Sequence, residues 1–222
     1  MERKKIITVI PAYNEEKYIK SVIRKTQRYI SRIIIVDDAS TDNTNYIAKS
    51  TGAMVLRHPI NLGLGGALKT GCDAAFFLGA DYIITLDGDG QHDPAEIYKL
   101  LKKLIVTNSE IVFGEREFNK DMPFTKRVFN KAGNTLTKKI HNVKIKDTQT
   151  GFRIFTRNAY RKIRWKSRDY AVASEIIINA QRNNLKYCSE RIKTIYHENY
   201  KGTSIMDGIK IINKMAVLRL NK

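Results

Sequence analysis

The sequence predicts an α/β domain built on a doubly wound, mostly parallel sheet flanked by helices, and three observations carry that prediction. Short β-branched runs alternate with helix-length amphipathic segments through the first half of the chain, the signature of repeated strand, helix, strand units. A polar, loop-like cluster follows each of the first four apolar runs, where parallel strands deliver their loops to one edge. The 222 residues suffice for one such domain and not for two ordinary ones, so residues 1–222 are read as a single domain.

The elements follow in order. "KIITVI" (5–10) is β-branched and stops at Pro11, a first strand. From Asn14 to Ile30, Ile19, Val22, Ile23 and Ile30 share one face of a helix. "RIIIVD" (32–37) is apolar throughout, as a strand covered on both faces must be. Asp42–Ser50 reads as a helix, "AMVLR" (53–57) as a strand and "LGGALKTGCDAAFFLG" (64–79) as a helix. "DYIITLD" (81–87) is the fourth strand, and "PAEIYKLLKKLIV" (94–106) is a helix with Pro94 in its first turn. After "EIVFG" (110–114) the rhythm loosens. "MPFTKRVFNKAGNTLTKKIH" (122–141) predicts a basic amphipathic helix, "TGFRIF" (150–155) a strand, "YAVASEIIINAQRNN" (170–184) a helix and "ERIKTIY" (190–196) a strand. Ile205–Leu220 predicts a C-terminal amphipathic helix. No internal repeat or low-complexity tract interrupts this order.

Charge is concentrated rather than spread. Of the net +18, residues 116–168 carry +13, from 16 basic and 3 acidic side chains. Such a block is a solvated face, or it meets nucleic acid, an anionic membrane or a phosphorylated substrate. Met1–Lys5 is charged and the run Ile6–Ile10 ends at Pro11, so no secretion signal is expected. The longest apolar stretches fall short of the roughly 20 residues that span a bilayer. Cys72 and Cys188 stand apart, without metal-ligand spacing. A cytoplasmic setting is expected.

The chemistry concentrates in "DYIITLDGDGQHDP" (81–94). Side chains two apart on an extended segment face the same way, so Asp87 and Asp89 can address one ion while Gly88 admits close backbone approach. Oxygen ligands suit Mg²⁺ or Mn²⁺, which bind phosphates at the same time. Gln91 can add a carbonyl oxygen or orient a water. A structural alternative makes Asp89 a helix cap, although Asp93 is better placed beside Pro94. "GLGGAL" (63–68) has Leu68 where a dinucleotide loop needs its third glycine, and no GxxxxGK[ST] occurs. Gly63, Gly65 and Gly66 either start a helix near a nucleotide or pack that helix tightly.

In their order, "PAYNEE", "VDDASTDNT", "NLGLGGALKTG", "LDGDGQHDP" and "DTQTGFRIF" resemble the motifs of glycosyltransferase family 2, GT-A fold, over residues 5 to about 196. The chain is most similar to that family's dolichol- or polyprenyl-phosphate sugar transferases. The resemblance implies a nucleotide-sugar-binding half (1–115), an acceptor half (116–222) and inverting transfer from a donor of the GDP-mannose or UDP-glucose type. It implies that Pro11, Tyr13, Glu15 and Asp38 surround base and ribose, and that Asp87, Asp89 and Gln91 hold Mg²⁺ or Mn²⁺ on the diphosphate. Arg116 and Lys126 or Arg127 would contact donor or acceptor phosphates. Asp147 with Thr150–Arg153 would border the acceptor, which makes Asp89, Arg116, Arg127 and Arg153 the catalytic set. Relatives often show FxxRxxGxSK where this chain has "YHENYKGTSI", with Asn199 and Ile205 at the basic positions and Lys201 as a substitute charge.

The sequence leaves two acceptors open. A sugar hydroxyl needs a positioned general base, for which Asp147 and Glu175 are candidates against readings as a salt-bridge partner and a helix-surface acid. A polyprenyl phosphate does not, because its second pKa near ~6 leaves it largely dianionic at neutral pH. Met122, Phe124, Val128 and Phe129 interleave with Lys126, Arg127 and Lys131, a pattern that docks on an anionic membrane surface. Peripheral attachment to the cytoplasmic face of the membrane is the expectation. A nucleotidyltransferase would carry a glycine-rich basic loop where "PAYNEE" stands. Nucleic acid is not an expected partner, since four acidic loops on one edge repel phosphate backbones. His58 and His92 lie at the same edge, and Trp165 is either core or an interface anchor.

Overall fold

The computed structural model describes residues 4–116, 145 and 147–195. Seven strands form one sheet: β1 (Ile6–Ala12), β2 (Ile33–Asp37), β3 (Met54–Arg57), β4 (Tyr82–Thr85), β5 (Ile111–Arg116), β6 (Arg153–Thr156) and β7 (Tyr187–Ile192). Their spatial order is β3-β2-β1-β4-β6-β5-β7. All neighbours are parallel except β6, which runs antiparallel to both β4 and β5. The helices are α1 (Ile19–Gln27), α2 (Thr44–Ser50), α3 (Leu64–Phe77), α4 (Ile97–Thr107), α5 (Arg157–Lys162) and α6 (Val172–Arg182), with a 3₁₀ turn (Pro94–Glu96) leading into α4.

The two-residue period of the strands sorts their side chains into two cores. Ile7, Val9, Ile34, Val36, Ile83, Phe113 and Phe155 face α3 and α6, meeting Leu68, Cys72, Val172 and Ile176. Ile10, Ile33, Ile35, Ile84, Val112 and Ile154 face α1 and α4, meeting Ile19, Ile23, Leu100 and Leu104. Both faces are therefore covered, as the unbroken apolar runs require. Trp165 belongs to the first core: it is buried, edge-on to Tyr160 at 5.7 Å, and its Nε1 donates to the Gly65 carbonyl at 2.9 Å.

Several expectations shift. The last described strand begins at Tyr187, three residues ahead of the predicted run, because register with β5 pairs Ile111 with Tyr187. Helix α5, which the sequence pattern does not predict, is capped by Thr156, whose hydroxyl accepts from Ala159 N at 3.1 Å. The predicted helices over 122–141 and 205–220 lie outside the described residues. Among the described residues no helix is long and apolar enough to cross a membrane. Cys72 is buried, Cys188 is partly so, and both are free.

Two phenylalanines test the burial pattern. Phe155 is fully buried on the central antiparallel strand, whereas Phe77 at the end of α3 is 83% exposed. Phe155→Ala should cost about 3–5 kcal/mol, and Phe77→Ala within about 0.5 kcal/mol of zero, read from urea unfolding midpoints; equal effects would contradict this layering.

Candidate active site

The loops after β1, β2, β3 and β4 gather at the carboxyl edge of the parallel strands, as expected. A fifth segment joins them for a reason of direction. Because β6 is antiparallel, its amino end, residues 147–153, lies at that same edge, with Arg153 paired to Thr85 and Phe113. A cavity of about 280 Å³ at the other end of the strands is lined by residues that include Gln27, Arg32 and Met54, with no acid to hold a cation.

The first two loops are stitched together by side chains bonding to backbone. Asn14 N donates to Ser40 Oγ (2.9 Å), Thr41 N to Asn14 Oδ1 (2.8 Å), Glu15 N to Thr44 Oγ1 (2.7 Å) and Asn43 N to Glu16 Oε2 (3.0 Å). Asn14 holds a left-handed backbone, φ 55°, which asparagine tolerates. Asp42 accepts from Glu16 N and Thr44 N. Burial raises its carboxyl, but the bonds from Thr44 and Glu16 outweigh that and hold it below the usual range. Of the residues expected around base and ribose, Pro11 is buried within β1, Glu15 is partly buried and Tyr13 is half-exposed.

Asp38 is buried and heavily engaged. Its Oδ1 lies 2.7 Å from His58 Nδ1 and accepts from Leu62 N (2.8 Å), while Oδ2 accepts from Gly63 N (2.8 Å). His58 Nε2 meets Thr70 Oγ1 at 2.9 Å. His58 is thus a neighbour of Asp38 rather than an open loop residue, and the aspartate fastens the loop ahead of α3.

Asp87 and Asp89 lie near enough for the charge of one to act on the other, and they occupy different settings. The Asp87 carboxylate rests on Gly151, where a Cβ would lie 2.1 Å from both of its oxygens; only glycine fits there. His92 Nε2 is 3.3 Å from Asp87 Oδ2. Burial raises the Asp87 carboxyl, but the His92 hydrogen bond and the charges of His92, Arg153 and Arg116 overcome this and keep it ionised. Asp89 accepts from Gln91 N at 3.0 Å and from the Gln91 side-chain amide. Gln91 thus meets Asp89 through both its backbone and its side-chain nitrogen. Burial and the nearby Asp87 charge raise the Asp89 carboxyl. Capping falls to Asp93, which accepts from Ala95 N at 3.0 Å.

These carboxylates fit a divalent cation. Two acids this close repel, and a hard cation removes the repulsion. Among the described residues no group of three or more His, Cys, Asp or Glu side chains is placed to hold a metal ion by itself. A two-carboxylate site is open to substrate oxygens and water, the habit of Mg²⁺ and Mn²⁺ at phosphates.

Behind Asp87 lies Arg153, buried to 1% exposure, with Nε lacking any hydrogen-bond partner. Burial pulls its pKa down to about 10, opposed by Asp87 and Asp147. Asp147 is fully buried and holds Arg116 in a fork, Nε to Oδ2 at 2.7 Å and Nη2 to Oδ1 at 3.1 Å. Burial raises the Asp147 carboxyl, but the Arg116 charge and hydrogen bonds together with Gln149 N leave it lowered. Glu175 is buried too, and its oxygens accept from Lys166 N and Ser167 N at 2.9 and 2.8 Å. So Asp147 is a salt-bridge partner, and Glu175 is a clamp on the backbone rather than a helix-surface acid. Arg127 and Lys126 lie outside the described residues. The sequence carries no signal for the role of Gly151, since its requirement comes from a carboxylate 64 positions away.

Two variants test this geometry. Gly151→Ala should displace the Asp87 carboxylate and lower turnover by about 10²-fold, the cost of a misplacement on the order of 1 Å, with an unchanged circular dichroism spectrum; wild-type turnover would refute the contact. Asp147→Asn strands the partly buried Arg116 and should cost about 3–5 kcal/mol at pH 7. Because the folded pKa of Asp147 is lowered, its contribution is present above the unfolded value near ~3.9 and lost as pH falls below it. The stability gap between wild type and Asp147→Asn should therefore shrink in acid; a gap independent of pH would contradict the ionised pair.

The fold and its motifs have relatives. The family model for glycosyl transferase family 2 matches residues 7–164. The UDP-N-acetylglucosamine–dolichyl-phosphate N-acetylglucosaminyltransferase of Methanococcus voltae is 36% identical, over 100% of this chain and 99% of its own length. A dolichyl-phosphate β-glucosyltransferase of Trichomonas vaginalis is 33% identical, over 80% of this chain and 62% of its own. Among solved structures, the glucosyl-3-phosphoglycerate synthase of Mycobacterium tuberculosis, in complex with Mn²⁺, UDP-glucose and phosphoglyceric acid, matches with a TM-score of 0.80 over 98% of this chain and 80% of its own. At 19% identity that is a likeness of fold, the GT-A fold. By its family match and its full-length relative, this chain belongs to glycosyl transferase family 2 and is a glycosyltransferase.

Proposed function

We propose that this glycosyltransferase moves a sugar, with inversion, from a nucleoside-diphosphate donor to a polyprenyl or dolichyl phosphate, using a divalent cation on the donor's diphosphate. The observation that carries the choice of acceptor is the engagement of Asp147 and Glu175: one holds a guanidinium, the other two backbone N–H groups. A hydroxyl acceptor would call on such an acid as general base. A phosphate monoester brings its own negative charge and needs positioning instead. The full-length relative acts, by its name, on dolichyl phosphate with UDP-N-acetylglucosamine. A UDP-sugar is accordingly favoured as donor, with UDP-glucose and GDP-mannose as the other two to test.

The residues then divide the work. Tyr13 offers a ring to the nucleotide base, and Asp38 shapes the adjoining pocket through the backbone of Leu62 and Gly63. Asp87 and Asp89 hold the cation. Mg²⁺ or Mn²⁺, when bound, neutralises charge on the departing diphosphate. Arg153 and Arg116 supply positive potential beside the transferred group, joined in this reading by Arg127 from the basic segment. The net +13 of residues 116–168 attracts an anionic membrane, where four engaged cations contribute roughly 4 kcal/mol. Attachment of that strength is peripheral and salt-sensitive.

Transfer of radiolabelled sugar from UDP-N-acetylglucosamine, UDP-glucose or GDP-mannose to a short-chain prenyl phosphate should require Mn²⁺ or Mg²⁺, and Asp89→Ala should lose turnover by more than about 10²-fold while remaining folded. Full turnover in excess chelator would sink the metal assignment. The protein should sediment with anionic vesicles at low salt and release at high salt. Transfer to 3-phosphoglycerate but to no prenyl phosphate would overturn the lipid acceptor.

A further inference from the structure

We propose that Glu175 is a positioning residue for the nucleotide side of the site, acting through the strap of residues 165–168 and the amino end of α3. The inference rests on the proposed function, in which the nucleotide lies beside the loop after β3. Glu175 is 4% exposed, and each carboxylate oxygen takes one backbone N–H, Oε1 from Lys166 at 2.9 Å and Oε2 from Ser167 at 2.8 Å. The segment it pins is extended, with Ile163, Trp165 and Ser167 buried and Arg164, Lys166 and Arg168 exposed.

This strap lies on the amino end of α3 without slack. Gly65 N donates to the Arg168 carbonyl at 2.7 Å, and Trp165 Nε1 donates to the Gly65 carbonyl at 2.9 Å. A Cβ on Gly65 would stand 2.1 Å from Ser167 O, and one on Gly63 2.4 Å from Arg168 O. Gly63, at φ 80°, passes the constraint on: its N–H donates to Asp38 Oδ2 at 2.8 Å, and Leu62 N to Asp38 Oδ1 at 2.8 Å. From Glu175 to Asp38 every link is a hydrogen bond or a backbone approach that a side-chain methyl would break. A shift of the strap cannot be absorbed at Gly63–Gly65, so it reaches the loop that shapes the nucleotide pocket. The carboxylate matters as such, because glutamine offers one acceptor oxygen and turns an NH₂ toward the second N–H.

The test compares wild type with Glu175→Gln and Trp165→Phe, by calorimetric titration of UDP and GDP with Mn²⁺ and by steady-state kinetics. Glu175→Gln should raise the nucleotide Kd and the donor KM by about tenfold, what one lost charge-assisted hydrogen bond delivers when transmitted in full, with kcat and the shape of its pH profile kept. Trp165→Phe keeps an aromatic ring but removes the Nε1 donor to Gly65, and should move Kd the same way by less. The double variant should fall short of the sum of the two, since both act through one strap. An unchanged Kd in folded Glu175→Gln, or a fall in kcat at constant Kd with loss of the acidic limb of the profile, overturns the inference. Should Glu175→Gln fail to fold, an unchanged Kd in Trp165→Phe overturns it alone. Wild-type protein that binds neither nucleotide refutes the donor-site reading itself, and the inference falls with it.

Discussion

Because β6 enters the sheet antiparallel between β4 and β5, its amino end meets the carboxyl ends of its neighbours, and the site depends on that reversal. A parallel strand in its place would carry the 147–153 segment to the opposite edge. The reversal puts Gly151 under the Asp87 carboxylate and Arg153 behind it. It also lets Thr85 Oγ1 donate to the Gly151 carbonyl at 2.7 Å, which fixes the glycine against the strand that carries the acids. The usual rule for open parallel sheets, that function sits at strand carboxyl ends, here needs the amino end of one strand as well.

Charges at this junction alternate, Arg116, Asp147, Arg153 and Asp87, and the His92 ring lies 3.3 Å beyond Asp87 Oδ2. Such a chain is expensive to bury unless each member has an opposite neighbour. Asp147 is balanced by the Arg116 fork. Arg153, with a pKa near 10, stays charged at neutral pH between two carboxylates. Asp89 is the odd member, tied to Gln91 and facing the Asp87 charge. The arrangement therefore carries one carboxylate more than its guanidinium groups balance, at the place where a cation fits best.

Much of this was legible in the sequence because it is local. Runs such as "RIIIVD" report burial on both faces, and Asp93 beside Pro94 reports its own cap. What was not legible depends on partners distant in the chain. Arg157–Lys162 is six residues long, too short for a helical period to register. Glu175 sits in an apolar helix as an apparent surface acid, and its partners at 166 and 167 are backbone groups without a sequence signature. The glycines of "NLGLGG" left two readings open, and contact with Arg168 and Ser167 shows close packing at Gly63 and Gly65, with the nucleotide reading still standing beside it.

The two sides of the site are held by different physics. The loops after β1 and β2 are stitched by neutral and charge-assisted hydrogen bonds from Asn14, Glu16, Ser40, Asp42 and Thr44, so the chain's own bonds set the shape that a nucleotide would meet under the proposed function. Selectivity then rests on geometry, and small backbone shifts change affinity. On the other side, the Arg116 and Arg153 guanidinium groups alternate with the Asp147 and Asp87 carboxylates, so each charge is held in place by an opposite neighbour. Under the proposed function an anionic acceptor is drawn to that corner once a cation has offset its extra carboxylate, whereas a neutral hydroxyl would be attracted weakly and would still need deprotonation. Under the proposed function, the stitched loops would take the nucleotide sugar and the charged corner, with its cation, the phosphate, which is the division of labour that joining the two requires.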